Sequence, residues 1–204
     1  MSKRVFDLVV TILILPLVLP LMAVVAVAVR LGLGRPITFS QERIGKGGER
    51  IFVTKFRSMT NETGPDGKLL PDAERLVPIG RFLRALSLDE LPELFLVLKG
   101  QMSLVGPRPL PAVYEKLYSP YQMRRHEVLP GITGLAQVSG RNALSWEERL
   151  KLDVEYVDSR SLLYDISLLG RTILTVVRGD GISADGHATM FDFTGSEEPN
   201  DGAG

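Results

Sequence analysis

Residues 5–29 read VFDLVVTILILPLVLPLMAVVAVAV, and from Leu8 to Val29 no charged side chain interrupts them. A run of about 20 apolar residues is long enough for a membrane helix. Pro16 and Pro20 sit in its middle, one helical turn apart. Each ring removes a backbone donor and clashes with the carbonyl four residues earlier, which costs roughly 3 kcal/mol in a regular helix. The stretch therefore predicts a membrane anchor with a kink or break near its centre. Lys3 and Arg4 precede it, and Arg30, Arg35, Arg43, Lys46 and Arg50 follow. Basic residues beside membrane segments tend to stay cytoplasmic. A single crossing leaves one basic flank on the unfavoured side, whereas a re-entrant helix–break–helix satisfies both. Either topology fits the apolar run itself, and the flanking charge favours re-entry. A cleaved signal peptide fits less well, because the run exceeds the usual apolar core and Leu31–Pro36 is not a small-x-small site.

Past residue 35, about 170 residues remain, enough for one compact core. The expected division is an anchor over 1–35, a folded domain over 36–194 and a disordered tail over 195–204. The formal net charge is zero, which argues against nucleic acid as the main partner. There is no cysteine, so disulfides and thiolate metal sites are excluded. The two histidines, His126 and His187, lack metal-ligand spacing, so zinc is not expected.

The domain reads as α+β. Ile37–Glu42 and Arg50–Arg57 predict two strands around Gly45-Lys46-Gly47-Gly48, a hairpin with Ile51, Val53, Lys55 and Arg57 on one face. Asn61–Lys68 is a loop, Asp72–Leu86 is helical despite Pro78 and Gly80, and Leu91–Leu98 is a short helix ended by Gly100. Ala112–Glu127 predicts a further helix and Pro130–Asn142 an irregular glycine-rich stretch. Trp146–Val157 predicts an amphipathic helix. Leu162–Val177 predicts a strongly apolar one that fills the core or lies along a membrane surface.

Ser87-Leu88-Asp89-Glu90-Leu91-Pro92-Glu93 is the densest chemical cluster. Ser87 and Glu90 have capping-box spacing, and Pro92 suits a helical first turn. Asp89 and Glu90 then fall at a helix start, where free N–H groups stabilise negative charge. An ionised aspartate so placed can attack phosphorus, and a neighbouring glutamate can hold a hard cation. Acidic residues also favour helix starts for no further reason. Lys55 and Arg57 share a strand face, and Arg81 and Arg84 are helix neighbours. Arg108 is held extended by Pro109, a rigid presentation that suits bidentate phosphate binding. Arg124-Arg125-His126 faces either acidic headgroups or water. The glycines of Pro130–Gly134 and Ser139–Asn142 expose backbone N–H groups that either cradle phosphate or form ordinary turns. No P-loop, dinucleotide-binding or nucleophile-elbow motif is present.

Taken together, Lys3–Asp7, Lys55–Met59, Ser87–Leu91, Leu98–Pro109, Pro130–Asn142 and Leu152–Val157 resemble the monotopic phosphoglycosyl transferases, or bacterial sugar transferases. The length resembles the minimal members, those similar to the diacetylbacillosamine-1-phosphate transferase. The resemblance implies an enzyme at the cytoplasmic face of the bacterial inner membrane, with a re-entrant anchor and a catalytic domain. It implies transfer of a sugar-1-phosphate from a UDP-sugar to a polyprenol phosphate, usually undecaprenyl phosphate, with release of UMP. It makes Asp89 the nucleophile and Glu90 its partner at Mg2+, with Lys55, Arg84, Arg108 and Arg141 as phosphate- or nucleotide-binding positions. Leu19-Pro20 stands where related anchors often carry Ser-Pro, and Pro16 is extra. Direct transfer in a ternary complex, with Asp89 as base, is an alternative order of the same chemistry. A non-catalytic membrane scaffold is the alternative from another class, and it does not need the Asp-Glu-arginine set.

Overall fold

A computed structural model describes residues 2–140, 143–178 and 193–195. Its elements are helix α1 (Lys3–Gly32), strands β1 (Thr38–Ile44) and β2 (Arg50–Phe56), and helices α2 (Asp72–Arg75) and α3 (Pro78–Ala85). A 3₁₀ segment (Leu88–Glu93) leads into α4 (Leu94–Lys99) and strand β3 (Ser103–Val105). Helix α5 (Pro120–Met123), strand β4 (Gly131–Thr133) and helices α6 (Leu135–Ser139), α7 (Trp146–Ser159) and α8 (Leu162–Arg178) complete it. This is the α+β architecture expected: one long apolar N-terminal helix and a mostly helical domain with a small hairpin. The expected disordered tail falls, beyond Gly195, outside the described residues.

The hairpin is antiparallel, with Thr38 opposite Phe56 and Ile44 opposite Arg50. Gly47 and Gly48 close it with φ of 66° and 84°, a left-handed backbone that glycine adopts without a Cβ clash. Its inward residues Ile51 and Val53 join Leu94, Val97, Met102, Val105, Tyr156 and Leu168 in the main core. Strands β3 and β4 form a second, parallel pair, with Ser103 opposite Gly131 and Val105 opposite Thr133. That pair replaces the irregular stretch expected at Pro130–Asn142. It depends on glycine: a Cβ on Gly131 would lie 2.0 Å from the Gly106 nitrogen, and one on Gly106 would lie 2.4 Å from the Leu129 oxygen. The N–H groups of Gly106 and Gly131 are spent on Thr133 and Pro107 carbonyls at 2.9 Å each. They hold two chain segments together and cradle no phosphate.

Prolines also redraw two expected helices. Asp72–Leu86 divides into α2 and α3, with Pro78 opening the second in the position where its missing donor costs nothing. Ala112–Glu127 divides into a 3₁₀ turn, α5 and another 3₁₀ turn, because Pro120 starts a new helix capped by a reciprocal Ser119–Gln122 box. A second such box, Ser145–Glu148, starts α7.

Helix α1 is continuous from Lys3 to Gly32 across both prolines, so the expected helix–break–helix is not an interruption of the helix. Both prolines are exposed, with their rings away from the packed side. That packed side is a stripe at helical spacing: Asp7, Thr11, Ile14, Val18, Met22, Val25 and Val29 meet the domain, while Leu13, Leu17, Val24, Val27 and Leu31 are exposed. Both ends are clasped. At the start, Arg4 Nη2 donates to the Leu98 carbonyl at 2.9 Å, and Ser103 Oγ donates to Asp7 Oδ2 at 2.8 Å. Lys3 Nζ reaches Asp165 Oδ2 on α8 at 2.5 Å. At the end, Gly32 rests on Ile79, and Arg57 donates to the carbonyls of Leu33 and Arg35.

Candidate active site

The site grows out of a strained turn. Leaving α3, Ser87 adopts φ 54° and ψ 26°, the single left-handed non-glycine residue among those described. Its side chain makes no cap, so the expected Ser87–Glu90 box is not formed. The chain enters a 3₁₀ segment rather than an α-helix, and Pro92 within it has no N–H to give. With three residues per turn, positions three apart eclipse. Leu88 and Leu91 therefore share a face and pack into the cluster of Val25 and Val29 from α1. Glu90 and Glu93 share another face, and both reach Lys55 Nζ, at 2.6 and 3.2 Å. Asp89 lies between these faces.

Asp89 is 8% exposed, yet it lines a cavity of about 730 Å3. The same cavity takes Lys55 from β2, Arg84 from α3, Glu90, and Arg108 from the Gly-Pro-Arg-Pro turn. Four of the expected site residues thus converge on Asp89. Arg141 lies outside the described residues. Arg81 turns away and donates to the Leu76 carbonyl at 3.0 Å. Arg84 Nε donates to the buried Ser58 hydroxyl at 2.9 Å, and Ser58 lies under Gly80, where a Cβ would come within 1.7 Å of the Ser58 oxygen.

Charge in the cavity is arranged unequally. Glu90 Oε1 accepts from both Lys55 Nζ and Arg108 Nη2. Burial pushes its carboxyl up, but Arg108 and Lys55 outweigh burial and hold it well below the usual carboxylate range. Asp89 is driven the other way, to about 6, by burial first and then by repulsion from Glu90, against the pull of Lys55, Arg84 and Arg108. Burial raises Glu93 to about 7, with Glu90 adding and Lys55 opposing. Two adjacent carboxyls are therefore pushed apart, one permanently ionised and one poised near neutrality, as acid–base or nucleophilic sites require.

Residues outside the sequence expectations complete the site. Arg43 on β1 and Arg149 on α7 line the cavity, and Arg149 lies 5.1 Å over the Trp146 ring. The alternation of Phe39, Gln41 and Arg43 along one strand face carried a signal for the first. Arg125, read as facing headgroups or water, is instead 2% exposed. It pairs with buried Asp153 at 2.6 Å and donates to the Arg108 carbonyl at 2.7 Å. His126 is buried beside it, and only Arg124 faces solvent, paired with Asp158.

For a divalent cation, Asp89 and Glu90 offer two hard oxygen donors on adjacent residues. Among the described residues no cluster of three or more potential ligands exists. A two-carboxylate set fits Mg2+ only where substrate phosphates complete its shell.

The chain combines a helix long and apolar enough to cross a membrane with a cavity lined by arginines, a lysine and two adjacent carboxylates. Comparison with known proteins makes the class particular. The Bacterial sugar transferase family matches residues 1–179, and the chain belongs to that family. It is 48% identical over 194 residues to the "Uncharacterized sugar transferase EpsL" of Bacillus subtilis, covering 95% of this chain and 96% of that protein. It is 40% identical over 187 residues to the UDP-glucose:undecaprenyl-phosphate glucose-1-phosphate transferase of Klebsiella pneumoniae, covering 87% of this chain but 40% of that one. It is 38% identical over 187 residues to a UDP-N-acetylgalactosamine-undecaprenyl-phosphate N-acetylgalactosaminephosphotransferase of Aeromonas hydrophila, covering 88% of this chain and 44% of that one. The chain thus spans less than half of these two longer relatives.

Proposed function

We propose that the protein transfers a sugar-1-phosphate from a UDP-sugar to a polyprenol phosphate, undecaprenyl phosphate above all, and releases UMP, through a covalent aspartyl intermediate on Asp89. The observation that carries this reading is Asp89 at the wall of a cavity shared with Lys55, Arg84 and Arg108, its carboxyl set apart from that of Glu90. Family membership and the names of the Klebsiella and Aeromonas relatives support the reaction class. Those names specify glucose and N-acetylgalactosamine donors, so the narrower likeness to a diacetylbacillosamine enzyme rests on minimal length alone.

In the first half-reaction the Asp89 carboxylate bonds to the phosphorus next to the sugar, the bridging P–O bond breaks, and the electron pair leaves with UMP. In the second, an oxygen of the lipid phosphate attacks the same phosphorus, and the pair returns to Asp89. Arg108, Lys55 and Arg84 offset charge on the transferring group, the dominant demand of phosphoryl transfer. Mg2+, held by Asp89 and Glu90 with substrate phosphates, would supply further charge neutralisation. Arg141, outside the described residues, is proposed as a further phosphate- or nucleotide-binding position. At neutral pH Asp89 is mostly ionised, as a nucleophile must be.

The anchor fits this chemistry. A helix of 30 residues is about 45 Å long, more than a ~30 Å hydrocarbon core. With both ends of α1 clasped to one polar domain, a crossing would drag that domain into the bilayer. We therefore place α1 along one leaflet at the cytoplasmic face, exposed side to lipid and both ends on one side, an interfacial course in place of the helix–break–helix re-entry expected from the sequence. Cysteines at Ser2 and Gly34 are expected to label from the same side; labelling from opposite sides overturns that placement.

The deciding experiment supplies purified protein with a panel of UDP-sugars and Mg2+ but no lipid. The expected result is stoichiometric UMP release and one phosphosugar mass on Asp89, both abolished in Asp89→Asn with the fold kept. Normal turnover without an adduct under trapping conditions establishes direct transfer. No turnover across the panel of donors and polyprenol phosphates establishes a scaffold.

A further inference from the structure

Arg43 is a cavity cation that the reaction described above does not use. Lys55 and Arg108 are matched by Glu90 and Glu93. Arg43 lines the same cavity with no carboxylate within 4.0 Å among the described residues. Its two hydrogen bonds go to neutral acceptors: Nη2 donates to Gln41 Oε1 at 2.5 Å and Nη1 to the Pro109 carbonyl at 3.3 Å. Both acceptors are positioned by backbone. Gln41 precedes Arg43 by two on the same strand face, and the neighbouring Ile44 N–H bonds the Leu110 carbonyl at 3.1 Å, zipping the end of β1 to the turn that carries Arg108. The guanidinium is thus aimed and half-buried beside that of Arg108, in the field of Glu93 and Glu90 but in no ion pair. Its proton affinity is depressed, to about 10, by burial first and then by Arg108, against the opposing pull of Glu93, Tyr114 and Glu90. A group so held gains by receiving an anion.

Geometry of displacement says which anion. Attack at phosphorus is in line: Asp89 enters on one side and the UMP oxygen departs on the other. When the lipid phosphate then displaces Asp89, it must enter opposite Asp89, where UMP departed. One subsite therefore serves the departing nucleotide phosphate and the entering lipid phosphate in turn. The cations ion-paired with Glu90 suit the transferring group, which both half-reactions share, and Arg43, which makes no ion pair, is left to meet the alternating visitor.

We infer that Arg43, oriented by Gln41 and the Pro109 carbonyl, forms this shared phosphate subsite, binding first the phosphate that leaves as UMP and then that of the polyprenol phosphate. The inference rests on the phosphosugar-transfer reading above and adds to it a residue that meets both phosphates.

The test uses the full chain in detergent or nanodiscs, comparing wild type, Arg43→Gln and Arg43→Lys. Binding of UMP and of uridine is measured directly, and the KM for undecaprenyl phosphate by turnover. In Arg43→Gln, UMP affinity and lipid-phosphate KM are expected to worsen together, each roughly tenfold to hundredfold, the range for losing a charge-assisted contact. Uridine, which has no phosphate, is expected to bind as before. Arg43→Lys keeps the charge without the planar fork and is expected to fall between; it carries the test if Arg43→Gln does not fold. Equal loss of UMP and uridine binding overturns the inference in favour of a purely structural role. Loss of UMP binding with an unchanged lipid KM overturns the shared subsite. A wild type that binds UMP more tightly than uridine but turns over no donor defeats the transfer reading instead, and the UMP–uridine comparison still decides whether Arg43 holds a phosphate.

Discussion

The buried Arg125–Asp153 pair offers the sharpest quantitative test of how the site is held. Arg125 is 2% exposed and Asp153 1%, so water screens neither charge. Asp153→Asn keeps the shape but strands the guanidinium inside the domain. Breaking a buried pair on one side costs about 3–5 kcal/mol. For a chain of this size that is a fall in Tm of roughly 6–20 °C, at about 2–4 °C per kcal/mol. Thermal unfolding of the purified full chain reads it directly. Replacing both partners, Asp153→Leu with Arg125→Met, leaves no stranded charge and is expected to recover most of the stability. It does not recover the hydrogen bond from Arg125 Nη2 to the Arg108 carbonyl at 2.7 Å. The double variant is therefore expected to be stable yet roughly tenfold lower in kcat/KM, the loss for about 1.4 kcal/mol of positioning. A Tm within about 2 °C of wild type for Asp153→Asn, which corresponds to less than 1 kcal/mol, refutes the desolvated pair. Full activity in the stable double variant refutes its hold on Arg108.

Two further outcomes follow from the geometry. Because burial and Glu90 raise Asp89 to about 6, the adduct-forming step is expected to gain rate as pH rises through that value, with about tenfold less rate at pH 5 than at the plateau; stopped-flow UMP release against pH checks it, and a flat profile from 5 to 8 contradicts it. Gly131→Ala is expected to abolish stable folding, because its Cβ would sit 2.0 Å from the Gly106 nitrogen, backbone that cannot give; a soluble, normally melting variant would show that β3 and β4 separate freely.

What could be read in the sequence was whatever depends on local periodicity. The hairpin, α7 and α8 follow from alternation and 3.6-residue spacing. What was illegible depends on contacts between distant segments. The parallel pairing of Ser103–Val105 with Gly131–Thr133 hides behind glycines that look like turn residues until a second backbone is laid against them. The partnership of Arg125 with Asp153 joins an apparently solvated basic run to a helix 28 residues on. At the site, the residue types were legible, but their phase was not. Capping-box spacing pointed Ser87 at Glu90, whereas Pro92 and the left-handed Ser87 wind the segment as 3₁₀. Arg43 entered only as one flanking charge among five; its alternation with Phe39 and Gln41 marks a shared strand face but does not tell which face lines a cavity.

That 3₁₀ phase is what joins chemistry to membrane. In an α-helix, positions 88 and 91 diverge by about 60° around the axis, and positions 90 and 93 likewise. Wound at three per turn, Leu88 and Leu91 stack in one row against Val25 and Val29 of the anchor, while Glu90 and Glu93 stack in another around Lys55. Asp89, between the rows, is fixed at once to the lipid-facing helix and to the cation that tunes its neighbour. The left-handed Ser87 costs roughly 1–2 kcal/mol relative to an ordinary turn. The proposed transfer from a water-soluble donor to a lipid headgroup would use both attachments, and this turn supplies them within six residues.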